Sequence, residues 1–128
     1  MIFGIGTDIF KLSRLESIAG NLQDPFFRKA FTKREQEQAS ERPVPLQYYF
    51  TRFAGKEAVF KAICKCGCDF VPGDIEILDP EDGSPVVSIN GNTAEVMRNF
   101  TGSEITIHVS LSYDTDYAIA FALAETKE

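Results

Sequence analysis

The chain has 128 residues, 44% of them hydrophobic and 25% charged, with a formal net charge of −6. One compact domain spanning residues 1–128 suits that length, and eleven Phe within so apolar a composition argue against disorder. An isoelectric point near 4.8 argues against nucleic acid as the main partner. No apolar run approaches the ~20 residues of a membrane-spanning helix, so no membrane partner is expected.

The opening Met1-Ile2-Phe3-Gly4-Ile5-Gly6 has neither a basic start nor a cleavage site, so no signal peptide is expected. Ile2–Ile9 reads as a strand whose glycines allow a neighbour to approach closely. Leu12, Leu15, Ile18 and Ala19 have helical spacing, and Gly20-Asn21 ends that helix. Residues 25–31 predict a short helix with Arg28 and Lys29 exposed. Thr32-Lys33-Arg34-Glu35 is a capping-box pattern that opens a further helix to about Ser40. After Arg42-Pro43-Val44-Pro45, residues 46–64 form the longest helical candidate. Residues 74–78 and 85–89 predict a hairpin about Pro80-Glu81-Asp82-Gly83. A helix over 93–100 follows, with Asn92 or Thr93 as its cap. Strands over 104–112 and 117–124 form a second hairpin. The class is α+β, a helical N-terminal half packed on an antiparallel sheet.

Charge is uneven. Residues 1–34 hold six basic and three acidic side chains (+3), and residues 35–128 hold seven and sixteen (−9). The basic front is either a solvated face or a docking patch for something acidic. Cys64, Cys66 and Cys68 are too closely spaced and too few for a disulfide framework or a four-ligand zinc site. They read as reduced thiols of a cytoplasmic protein.

The long helix carries the chemistry. Around Glu57 it is apolar almost all round, which predicts burial. A carboxylate there must be paired or bind a cation. Lys61, at i+4, offers an intrahelical ion pair. The alternative is that Glu57 and a second carboxylate hold a metal while Lys61 faces an anion. Asp8 is the natural second carboxylate, since two carboxylates with water and phosphate ligands suit Mg²⁺. Equally, Asp8 fits the N-cap of the following helix. His108 alternates with apolar neighbours and reads as structural.

Three segments carry a resemblance. They are Gly4-Ile5-Gly6-Thr7-Asp8-Ile9, then Arg52-Phe53-Ala54-Gly55-Lys56-Glu57-Ala58-Val59-Phe60-Lys61-Ala62, and finally His108-Val109-Ser110-Leu111-Ser112 with Tyr117-Ala118. Between the last two lie Asp79, Gly83-Ser84-Pro85 and Gly91. In order and spacing the chain resembles the holo-[acyl-carrier-protein] synthase family, small single-domain 4′-phosphopantetheinyl transferases. The resemblance implies that fold, and transfer of 4′-phosphopantetheine from coenzyme A to a serine of apo acyl carrier protein for fatty acid biosynthesis. It implies Mg²⁺ held by Asp8 and Glu57, with Glu57 and Lys61 catalytic. It implies coenzyme A contacts at Arg52, Lys61, Gly83 and Tyr113, and carrier-protein docking at Lys11, Arg14, Ile18 and Arg28. A homotrimer with active sites between subunits is also implied. A non-catalytic module binding coenzyme A or a carrier protein is the alternative. The chain departs from the pattern at Cys64-Lys65-Cys66-Gly67-Cys68, where a Gly-rich turn is usual. Pro43-Val44-Pro45 stands where basic residues are common, and Tyr113 where histidine is common.

Overall fold

The computed structural model describes residues 1–127. The chain runs β1 (Ile2–Lys11), α1 (Leu12–Ile18), α2 (Pro25–Ala30), α3 (Lys33–Ser40) and α4 (Pro45–Ile63). It continues through β2 (Ile75–Leu78), β3 (Val86–Ile89), α5 (Gly91–Thr101), β4 (Ile105–Tyr113) and β5 (Tyr117–Thr126). The α+β expectation holds, with two antiparallel sheets. One is three-stranded in the order β1-β5-β4, and the other is the separate hairpin β2-β3. The first strand therefore leaves the helical half to pair with the last.

Helix α4 lies across the inner face of the larger sheet, and small residues set how closely. Ala118, Ala120, Ala122 and Ala124 of β5 all point inward and are fully buried. On β1 the contact is closer still. A Cβ at Gly4 would stand 2.0 Å from the Ala62 carbonyl oxygen, and one at Gly6 would stand 1.9 Å from that of Ala58. Main chain thus rests on main chain, and any side chain at these two positions would push strand and helix apart.

The larger residues of β5 point the other way. Ile119 and Phe121 are half exposed, beside Ile5 and Ile9 of β1 in the same sheet. The alternation of β5 is thus inverted, small residues inward and large ones outward, and it leaves an uncovered apolar sheet face.

On the other side of α4 the contacts are aromatic and ionic. Phe10, Phe26, Phe27, Phe31, Tyr49 and Phe53 form a connected ring cluster. Lys56 and Glu35 form a fully buried ion pair at 2.8 Å. Lys56 also donates to the carbonyls of Pro72 and Ile75, and Glu35 accepts from the Ile77 amide. This ties α3, α4 and β2 together. Burial pulls the Lys56 ammonium below its usual range, and Glu35 opposes that pull. Removing one partner would leave a buried charge at a cost of about 3–5 kcal/mol.

Local signals are realised where they were local. Thr32 and Glu35 form the reciprocal capping box. One cap differs from expectation. Helix α5 begins at Gly91 with Asn90 before it, and neither Asn92 nor Thr93 caps it. The Asp74 carboxylate does so from 19 residues upstream, accepting from the Thr93 amide at 3.2 Å and hydroxyl at 2.8 Å. Among the described residues no helix is long and apolar enough to cross a membrane.

Candidate active site on two faces of one helix

Asp8 lies mid-strand on β1, two residues beyond the Gly6 contact, and is 8% exposed. It does not cap α1, whose N-cap is Lys11. Glu57 of α4 lies beside it. Glu57 does not form the intrahelical pair with Lys61 that its spacing allows. Lys61 reaches across to β1, donating to the Thr7 carbonyl at 3.0 Å and to Asp8 Oδ1 at 3.3 Å. The cation nearest Glu57 is Arg14, at 4.0 Å, whose guanidinium lies 4.8 Å over the Phe10 ring.

This arrangement leaves the pair short of positive charge. Asp8 Oδ2 is buried with no hydrogen-bond partner among the described residues. The Glu57 carboxyl is pushed up to about 7, first by burial and then by the charge of Asp8. Arg14 and Lys61 pull it back only in part. Two half-buried carboxylates, one with a free oxygen, suit a hard divalent cation. Among the described residues no cluster of three or more His, Cys, Asp or Glu is placed to hold a metal. Such an ion would take two protein ligands and fill its remaining positions from water or substrate, the habit of Mg²⁺.

Arg52 faces elsewhere. It is five residues before Glu57, about 7.5 Å along the axis and about 140° around it. It is 7% exposed, lies 4.3 Å over the Tyr48 ring and contacts the Asp79 carboxylate. Arg42 reaches the same carboxylate oxygen at 2.8 Å. Arg52 separates two small clefts of about 240 and 330 Å³. Tyr113 lines both, and Ser84 and Pro85 line the second. Gly83 is exposed at a positive φ of 89°, turning the loop that delivers Ser84 and Pro85, and is not itself in the wall. The expected residues thus fall into two groups. Asp8, Glu57 and Lys61 meet on one face of α4, and Arg52 and Tyr113 meet on another.

Lys11, Arg14, Ile18 and Arg28 are all exposed, and Lys11 lies 5.9 Å over the Tyr117 ring. His108 is on the outer sheet face, 2.8 Å from Glu125. The three cysteines are free. Burial, then Cys66, pushes the Cys68 thiol up to about 11. The largest cleft, about 770 Å³, lies away from all of these, between β3, α5 and β4.

The model of the 4′-phosphopantetheinyl transferase superfamily matches residues 4–122. The chain belongs to that superfamily. Among 4′-phosphopantetheinyl transferases, the holo-[acyl-carrier-protein] synthase of Magnetococcus marinus is 37% identical, covering 98% of this chain and 94% of that protein. The crystal structure of holo-[acyl-carrier-protein] synthase from Neisseria meningitidis matches with a TM-score of 0.81 at 29% identity, over 98% of this chain and 99% of that one. A holo-(acyl-carrier-protein) synthase from Bacillus anthracis, solved in complex with CoA (3′,5′-ADP), matches with a TM-score of 0.73 at 28% identity, over 99% of each chain.

Two residues beside this transferase-superfamily site escape sequence reasoning. Tyr48 is the plate beneath Arg52, and Gln38 holds the Asp79 backbone through both of its amide groups. The first had a signal, since Tyr48 and Arg52 are an i, i+4 pair. The second had none, because Gln38 and Asp79 are 41 residues apart.

Proposed function

We propose that the chain transfers 4′-phosphopantetheine from coenzyme A to a serine hydroxyl of apo acyl carrier protein, releasing adenosine 3′,5′-bisphosphate. It is an enzyme of the holo-[acyl-carrier-protein] synthase kind, with Asp8, Glu57 and Lys61 at its reaction centre. The observation that carries this assignment of residues is the orphaned Asp8 oxygen facing a second carboxylate beside an exposed lysine.

In the reaction the serine oxygen bonds to the phosphorus that bears the pantetheine arm. The bond from that phosphorus to the adenosine bisphosphate breaks, and the serine loses its proton. Mg²⁺ held by Asp8 and Glu57 would supply Lewis-acid stabilisation of charge on the diphosphate. Lys61, half exposed and shared with Asp8, turns its ammonium toward the diphosphate oxygens. Glu57 is the carboxylate available to accept the serine proton. Arg52 and Tyr113 bind the nucleotide side, with Gly83 shaping the loop around it. The nucleophile belongs to the carrier, so the chain needs none of its own. Lys11, Arg14, Ile18 and Arg28 form the surface that meets the acidic carrier, raising the association rate in a salt-sensitive way.

The two groups on α4 face apart, so one chain does not enclose both ends of coenzyme A. A second copy completing the site accounts for this, and the uncovered Ile5, Ile9, Ile119 and Phe121 face supplies apolar area for association. A homotrimer with shared sites, serving fatty acid biosynthesis in the cytoplasm, is the reading that these features support. The test is mass spectrometry of apo acyl carrier protein incubated with the chain, coenzyme A and MgCl₂. Addition of the phosphopantetheine arm, abolished by EDTA, is expected. A carrier that gains no mass would overturn the reading.

A further inference from the structure

We infer that Asp79 is an internal stand-in for a ligand phosphate. Its carboxylate occupies the Arg42–Arg52 pair in the free chain, and a phosphomonoester entering the cleft displaces it. The inference deepens the reading of the Arg52 cleft as the nucleotide site and rests on it.

The Nε and Nη2 groups of an arginine form a fork that takes two oxygens of one anion. In Arg52 only Nη2 meets Asp79, and the buried Nε has no hydrogen-bond partner. The same Asp79 oxygen, Oδ2, also serves Arg42. One carboxylate oxygen therefore answers two guanidinium groups and leaves a buried donor unmet, an arrangement with a standing cost. Asp79 cannot shift bodily to improve it. Its amide donates to Gln38 Oε1 at 3.0 Å, and its carbonyl accepts from Gln38 Nε2 at 2.8 Å. Gln38 is held in turn by the Tyr48 hydroxyl at 2.9 Å.

A phosphate has the oxygens that this site lacks. It can fill the whole Arg52 fork and still reach Arg42. The Asp79 carboxylate is 27% exposed, so its side chain can turn into water while its backbone stays fixed. The arginines do not collapse when it leaves, because the Tyr48 ring lies under both, 4.3 Å from Arg52 and 5.4 Å from Arg42. The resident carboxylate keeps the pair ordered in the empty cleft. It also weakens binding of every phosphate that must replace it, which favours release of the bisphosphate product.

The test is calorimetric binding of adenosine 3′,5′-bisphosphate and of adenosine to the wild type, Asp79→Asn, Asp79→Ala and Asp79→Glu. The first two variants should bind the bisphosphate roughly fivefold to tenfold more tightly, with steeper salt dependence, and adenosine unchanged. Asp79→Glu should behave like the wild type. Structural damage would weaken binding, so a gain separates this role from a scaffolding one. If the wild type binds the bisphosphate but Asp79→Asn and Asp79→Ala bind it no more tightly, Asp79 orients the arginines and the stand-in role falls alone. If neither wild type nor variants bind it, the nucleotide reading of the cleft falls as well.

Discussion

The two faces of α4 are electrostatic opposites. On the Glu57 face two carboxylates share too little positive charge, and one oxygen is left bare. On the Arg52 face two guanidinium groups share a single carboxylate oxygen, and one nitrogen is left bare. The first is short of a cation and the second of an anion. A magnesium-bound diphosphate joined to a nucleotide phosphate would satisfy both, yet the helix turns the two faces about 140° apart. A shared site thus follows from the pitch of one helix as much as from any interface.

The largest effect is expected on the carboxylate face. Glu57→Gln or Asp8→Ala should lower Mg²⁺-dependent modification of apo carrier protein by roughly a thousandfold, about 4 kcal/mol of transition-state stabilisation, with the circular dichroism spectrum unchanged. Normal turnover by both variants would remove the distinction between the faces. The next prediction tests how the faces are joined. Asp8→Ala and Arg52→Ala chains, each inactive alone, should regain about a quarter of wild-type activity when co-assembled at equal amounts, since a quarter of random interfaces pair two intact faces. No recovery would mean that each chain carries its whole site.

A smaller effect concerns the docking surface. Arg28→Glu is a cleaner probe than a change at Arg14, which reaches Glu57. It should raise the KM for carrier protein roughly threefold to tenfold at low salt and leave the KM for coenzyme A alone. The smallest effect is on stability. In EDTA the folded chain holds a proton on Glu57 up to about 7, against 4.5 for the ordinary carboxyl. The folded state binds more protons than the unfolded state across that window, so this contribution is full below about 4.5 and lost as pH rises through about 7. Thermal melts from pH 5 to 8 should show the decline in the wild type and not in Glu57→Gln, and MgCl₂ should oppose it.

What could be read from the sequence was whatever chain neighbours decide. Thr32 and Glu35 cap their helix because three residues separate them. The all-round apolar α4 had to be buried, and Gly4 and Gly6 announced a close approach. What could not be read was the choice among partners. Lys61 had Glu57 one turn away and took Asp8, 53 residues distant. The Asp74 cap on α5 and the Gln38 grip on Asp79 likewise depend on elements brought together only by the fold. The inverted alternation of β5 could be read as a strand but not by its facing, because its buried side is alanine and its exposed side is isoleucine and phenylalanine.

The glycine contacts between β1 and α4 also work as two rulers laid edge to edge. Two residues of strand advance about 6.6 Å, and four residues of helix advance about 6 Å. Gly4 against Ala62 and Gly6 against Ala58 are successive marks on both scales. The next strand mark is Asp8, the first in the series to carry a side chain. The scales are then already about 0.6 Å out of step for each interval, and the gap that opens is where its carboxylate fits. The placing of that carboxylate is thus a matter of arithmetic between two backbones, and no rotamer of a packed side chain intervenes to soften it.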